Sequence, residues 1–196
     1  MIKKIFIILM AILFVGCASN NKAPKTITNS VEVTNVPVDF SHYEFLEGEL
    51  ANYVEIPMSE VAKIIKGKGS ALIYFGYNTC DWCNRAIPEL NKVLLDYDFT
   101  TYYVDAHSEN YTFTNDDIDE LYEVIDETLY TGKDGEKGLY VPHVIGIKNG
   151  EIVGYHTSLT DDYHPVNISD PKDQMTDEQK KELQKIYRDI IEKTVD

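Results

Sequence analysis

The chain has 196 residues and a formal net charge of −15, with 18 Lys and Arg against 33 Asp and Glu. A surface this acidic repels phosphate backbones, which argues against nucleic acid as a partner. With 43% hydrophobic and 26% charged residues, the composition is that of a chain able to bury one globular core.

Lys3 and Lys4 precede an apolar run over residues 5–15 that is too short for a comfortable transmembrane span and reads as a signal-peptide core. The run ends in Phe14-Val15-Gly16-Cys17, which resembles a bacterial lipobox, although Phe14 departs from the usual Leu, Val or Ile. That resemblance implies a diacylglyceryl group on Cys17 as the first residue of the mature chain, lipid-anchored to the cell membrane and extracytoplasmic. The competing reading is an ordinary signal peptide with an accidental cysteine. Residues 18–41 are polar and lack a sustained apolar period, which predicts a flexible tether and leaves residues 42–196 as the folded domain.

Within that domain, residues 52–56 read as a short strand and 59–66 as a helix with Val61, Ile64 and Ile65 on one face. Gly67 and Gly69 end the helix. Residues 70–75 form the continuous apolar run of a buried central strand. Ala86-Ile87, Leu90 and Val93-Leu94 recur at helical spacing over 82–97, and residues 99–105, β-branched and aromatic, predict another strand. Thr114 followed by acids marks a helix start, with Ile118, Leu121, Tyr122 and Ile125 facing inward. Residues 132–138 read as a glycine- and charge-rich loop. Strands at 143–148 and 151–155 flank Asn149-Gly150, a strong hairpin signal. Thr176-Asp177-Glu178-Gln179 is a capping box that opens a final amphipathic helix. The order β-α-β-α-β-α-β-β-α predicts an α/β fold, a mixed central sheet with helices on both faces.

The chemistry concentrates in Cys80-Asp81-Trp82-Cys83, between the central strand and the following helix. On a helix's first turn, two thiols at this spacing can close into a disulfide or open into a dithiol. Unsatisfied N–H groups and the positive dipole end there favour the thiolate of the first cysteine, the species that attacks disulfides. Cys17, Cys80 and Cys83 are the chain's three cysteines; with Cys17 lipidated, Cys80 and Cys83 are left to pair with each other. A Cys-x-x-Cys alone also fits a structural disulfide or half of a zinc site. Zinc needs two further ligands at structural-site spacing, and no second Cys-x-x-Cys supplies them.

This order, with Cys-x-x-Cys after the second strand, resembles the thioredoxin-like superfamily. Pro88 lies five residues after Cys83, as the proline within that family's active-site helix does. Val141-Pro142 matches the family's cis-proline, and the hairpin with Lys148-Asn149-Gly150 follows its pattern closely. The lipobox and the long stretch between Asp105 and Pro142 are most similar to Gram-positive thioredoxin-like lipoproteins, among them bacteriocin transport accessory proteins. The resemblance implies a thiol–disulfide oxidoreductase whose redox group is the Cys80–Cys83 disulfide itself, with no other cofactor and no metal. Cys80 is then the exposed nucleophile and Cys83 the buried resolving thiol. Asp81, Trp82, Val141 and Pro142 form the active-site and substrate-binding loops, and the backbone of Val141 pairs with an extended substrate. Its partners are exported protein thiols and disulfides and a membrane redox protein, and the chain acts as a monomer.

The Asp81 carboxylate works against the Cys80 thiolate, which favours a reductase or isomerase over an oxidase. Where thioredoxin has a buried Asp and a companion Lys, this chain has Tyr74 and Thr101, so the proton acceptor of Cys83 falls to Glu89, Asp81 or water. His143 is either a helper of Cys80 or, more simply, a strand residue facing a helix. His156, His164, Asp161 and Asp162 read as a solvated acidic loop before a metal cluster, and Tyr74, Tyr77 and Trp82 as an apolar rim around the thiols. The alternative to catalysis is a non-catalytic accessory or binding module with a structural disulfide.

Overall fold

A computed structural model describes residues 25–132 and 135–196. The expected signal peptide, the expected lipobox and Cys17 lie outside the described residues. The chain forms β1 (Val36–Pro37), β2 (Tyr53–Glu55), α1 (Met58–Lys66), β3 (Ala71–Gly76), α2 (Asp81–Leu94), β4 (Thr101–Asp105) and α3 (Asn115–Ile125). A 3-10 turn (Asp126–Thr128) follows, then β5 (Tyr130–Thr131), β6 (Lys137–Gly138), β7 (His143–Lys148), β8 (Glu151–Thr157) and α4 (Asp177–Thr194).

Six strands make one mixed sheet in the order β1-β2-β4-β3-β7-β8. β2, β4 and β3 run parallel, while β1, β7 and β8 join antiparallel. The path from β2 to β3 passes the place later filled by β4, and the path from β3 to β4 returns the other way. Right-handed crossovers in opposite directions put their helices on opposite faces. On one face, α2 and α4 cover Leu72, Tyr74, Tyr103 and Val144. On the other, α1 and α3 cover Ile73, Phe75, Val104, Ile145 and Ile147. Every residue of β3 is buried, as its unbroken apolar sequence requires.

Asn149 and Gly150 both take positive φ, 53° and 81°, the conformation that a two-residue hairpin turn demands. Gly150 is also needed for space, since a Cβ there would stand 2.5 Å from the carbonyl oxygen of Ile65. Thr114 and Thr176 each cap their helix with a reciprocal box.

The stretch expected to be a tether up to residue 41 is instead packed from its first described residues. Val36 and Pro37 pair with Glu55 and Val54 and cover the outer edge of β2. Phe40 is buried, Ile27 and Val38 pack on one core and Val33 on the other, and Asn29 donates to the Tyr102 hydroxyl at 3.1 Å. Val36, Val38 and Phe40 are spaced by two and Ile27 and Val33 stand apart among polar neighbours, a pattern too sparse to read as a strand yet enough to line a sheet edge. The loop expected at 132–138 likewise contains a strand, β6, which pairs with β5. No helix among the described residues is long and apolar enough to cross a membrane.

Candidate functional site

β3 ends at Gly76, and a turn through Tyr77, Asn78 and Thr79 delivers Cys80 to the N-cap of α2. Cys80 and Cys83 form a disulfide with Cα atoms 5.1 Å apart. The Cys83 N–H donates to Cys80 Sγ at 3.0 Å. The sulfur thus occupies the place of a capping oxygen, where an N–H group and the helix dipole stabilise negative charge once the bond is reduced. Cys80 is 7% exposed and Cys83 fully buried. The expected nucleophile is the more accessible sulfur, but it is itself largely covered.

Two buried polar side chains fix this turn. Asn84 donates to the carbonyls of Asn78 (2.6 Å) and Cys80 (3.2 Å) and accepts the Glu44 N–H at 2.6 Å. Arg85 donates to the carbonyls of Asp81, Asp170 and Asp173 at 2.8–3.0 Å, clamping residues 170–173 onto the first turn of α2. From the same loop, the Ser169 hydroxyl donates to the Asp81 carboxylate at 2.6 Å. Trp82 packs edge-on against Tyr163, ring centroids 6.0 Å apart.

Val141 and Pro142 enter the site through strand register. Phe75 pairs with His143, so Pro142 falls beside Gly76, where the cysteine turn begins. The Val141–Pro142 bond is cis, and the Pro142 carbonyl accepts the Ser158 N–H at 2.8 Å. Among the described residues, no backbone group bonds to Val141. A groove of about 420 Å3 runs between Trp82 and Val141, bounded by Thr157, Ser158 and the half-exposed rings of Tyr130 and Tyr140. The short β5–β6 hairpin supplies Tyr130, and reading 132–138 as loop alone concealed its contribution.

His143 does not assist Cys80. Side chains alternate along a strand: Val144 faces the cysteines, whereas His143 points to the other face beside Phe75. Its ring nitrogens bond the hydroxyls of Thr157 (2.8 Å) and Thr128 (3.1 Å). Burial pushes its pKa down to about 4, so it is neutral near pH 7. His156, also lowered by burial, bonds the Leu159 carbonyl at 3.0 Å and belongs to the fold. Among the described residues, no group of three or more His, Cys, Asp or Glu is placed to hold a metal ion.

Tyr74 is no rim residue either. It is fully buried, and its hydroxyl donates to the Cys83 carbonyl at 3.5 Å. Its ring lies along β3 over Gly76, where a Cβ would come within 2.6 Å of it. Of the acceptors considered for Cys83, Glu89 is bound by Lys92 (2.8 Å) and Gln184 (2.5 Å), and Asp81 by Ser169. Behind Tyr74 stand two residues that sequence reasoning missed. Tyr43 and Tyr103 share a hydroxyl–hydroxyl bond of 3.0 Å, and Tyr103 donates to Asp105 at 3.2 Å. Alternation along β4, with Tyr103 and Asp105 on one face, was the available signal.

No protein-family model matches the chain, and no curated protein matches it.

Proposed function

We propose that this chain is a protein thiol–disulfide oxidoreductase with a thioredoxin-like fold, anchored by lipid on Cys17 at the outer face of the cell membrane and acting as a monomer on exported proteins. The observation that carries the reading is the Cys80–Cys83 disulfide on the first turn of α2, with the Cys83 N–H on Cys80 Sγ. After reduction by a membrane redox partner, the Cys80 thiolate attacks a substrate disulfide and forms a mixed disulfide. Cys83 then attacks Cys80, releases the reduced substrate and restores the Cys80–Cys83 bond. The free backbone of Val141 and the groove beside Trp82 suit an extended substrate segment. Asp81 next to Cys80 favours a reductase or isomerase.

A second reading, a binding module with a structural disulfide, is favoured by the low exposure of Cys80. Redox equilibration of the purified protein with glutathione, paired with insulin reduction, separates the two. Oxidoreductase function gives reversible two-electron exchange and turnover that Cys80→Ser abolishes. A bond that stays closed under strong dithiol reductant, with no turnover, supports the binding module.

A further inference from the structure

Resting on the oxidoreductase reading, we propose that Tyr130 and Tyr140 make this chain selective for extended polypeptide segments whose cysteine is flanked by large apolar side chains and not by acidic ones. The groove beside Trp82 has a counterpart on the other side of Val141. This second hollow, of about 370 Å3, is lined by Tyr77, Met58, Leu139 and, from α3, Ile118 and Tyr122. Tyr140 and Val141 line both hollows and so form the divide between them. Tyr140 is 54% exposed and Tyr130 53%, their rings edge-on with centroids 5.1 Å apart. Two aromatic side chains left half in water beside a redox disulfide mark a surface that another chain covers. The walls are held in place: the Leu139 N–H donates to the Tyr122 hydroxyl at 3.1 Å, and Tyr77 stacks on His107 with centroids 3.9 Å apart.

Three observations define the occupant. The Cys80–Cys83 disulfide exchanges with sulfur, so the segment carries a cysteine. The backbone of Val141 has no backbone partner among the described residues and stands between the two hollows, which suits an extended chain. Neighbouring side chains of such a chain point in opposite directions, so consecutive residues beside the cysteine fill one hollow each. Charge selects among them. Among the described residues, no Asp, Glu, Lys, Arg or His lines either hollow. Asp81, Asp105, Asp117, Asp119 and Glu123 each adjoin a lining residue in sequence, and no Lys or Arg does. In a chain of net charge −15, this rim repels an acidic segment and accepts an apolar or basic one. Large uncharged side chains gain most by leaving water for hollows lined in this way.

The test is single-turnover reduction of symmetrical peptide disulfides by the reduced protein, with acid quenching and chromatography of the released peptide thiol. Each event oxidises the Cys80 and Cys83 thiols to their disulfide and reduces one peptide disulfide to two peptide thiols. Three short peptides differ only in the residues on either side of their cysteine, which are Leu, Ser or Glu. Rates are referred to those of dithiothreitol with the same peptides, which cancels their intrinsic reactivity, and bis(2-hydroxyethyl) disulfide reports the sulfur chemistry alone. The wild type is expected to reduce the Leu peptide about tenfold or more faster than the Ser peptide, and the Glu peptide more slowly than either. Tyr140→Ser and Tyr130→Ser are each expected to lower the Leu-to-Ser ratio by about threefold or more, whereas Tyr140→Phe keeps it. A wild-type ratio near one, or a ratio that both Ser variants leave unchanged, overturns the selection, while turnover of bis(2-hydroxyethyl) disulfide leaves the oxidoreductase reading intact. A wild type that reduces none of these disulfides, the small one included, removes the oxidoreductase reading and this inference with it.

Discussion

The Ser169 hydroxyl and the Asp81 carboxylate meet at 2.6 Å across 88 residues of sequence, at the first turn of the helix that carries both cysteines. The loop that ends in the α4 capping box is thereby tied to the dipeptide between the two sulfurs, and Arg85 ties it again through backbone carbonyls.

Asp81→Asn keeps a hydrogen-bonding partner for Ser169 but removes the negative charge next to Cys80. More thiolate at neutral pH stabilises the reduced form, so the couple becomes more oxidising by about 15–30 mV, where 30 mV is about 1.4 kcal/mol for two electrons. Glutathione equilibration reads the potential directly. A shift toward more negative potential contradicts the role given to this carboxylate.

Unfolding exposes His143 to water, where its pKa returns to about 6.5, against about 4 in the fold. The unfolded chain then binds the extra proton, so stability is full above about pH 6.5 and falls as pH drops toward 4. The loss over that window is on the order of 3 kcal/mol, with His156 adding in the same direction. Urea denaturation at a series of pH values measures it. His143→Leu destabilises the protein at pH 7 by removing the bonds to the Thr128 and Thr157 hydroxyls, and flattens the slope between pH 6.5 and 4.

Replacing Gly150 by Ala forces a side chain onto a positive φ and into the Ile65 carbonyl and Lys68 Cα, 2.5 and 2.9 Å away. The cost exceeds about 1 kcal/mol in urea denaturation, with the site chemistry retained. A neutral substitution contradicts this account of the hairpin turn.

Tyr53 buries a hydroxyl that has no partner among the described residues. Tyr53→Phe relieves that desolvation and raises stability by about 1 kcal/mol. In a domain of this size the midpoint of thermal unfolding moves up by about 2–4 °C. A lower midpoint shows that the hydroxyl is bonded after all.

Much of the architecture was legible because the strongest patterns are local. The apolar run of β3, the helix start at Thr114, the capping box at Thr176 and Asn149-Gly150 all act within a few residues, and each stands where its sequence puts it. So does the Cys80–Cys83 pair at the start of α2. What escaped depends on distant partners. β1 is two residues long and exists because β2 offers an edge; β5 and β6 exist because each satisfies the other. His143 was ambiguous because its place next to Pro142 says nothing about which face it takes, and only the pairing with Phe75 decides that. Tyr74 read as a rim residue because its ring could be placed only once Gly76 and the neighbouring β4 were known.

The first described residues have a geometric consequence. The Asp98 N–H donates to the Lys25 carbonyl, the Asp196 N–H donates to Thr26, and Asn29 and Val31 lie against Gly67 and Gly69. All of these contacts gather where the parallel strands begin, whereas the sulfurs sit where β3 finishes. Chain arriving at residue 25 therefore joins the domain at one pole while the disulfide occupies the other. A body held from that pole turns its sulfurs away from the support, toward whatever passes in front of it.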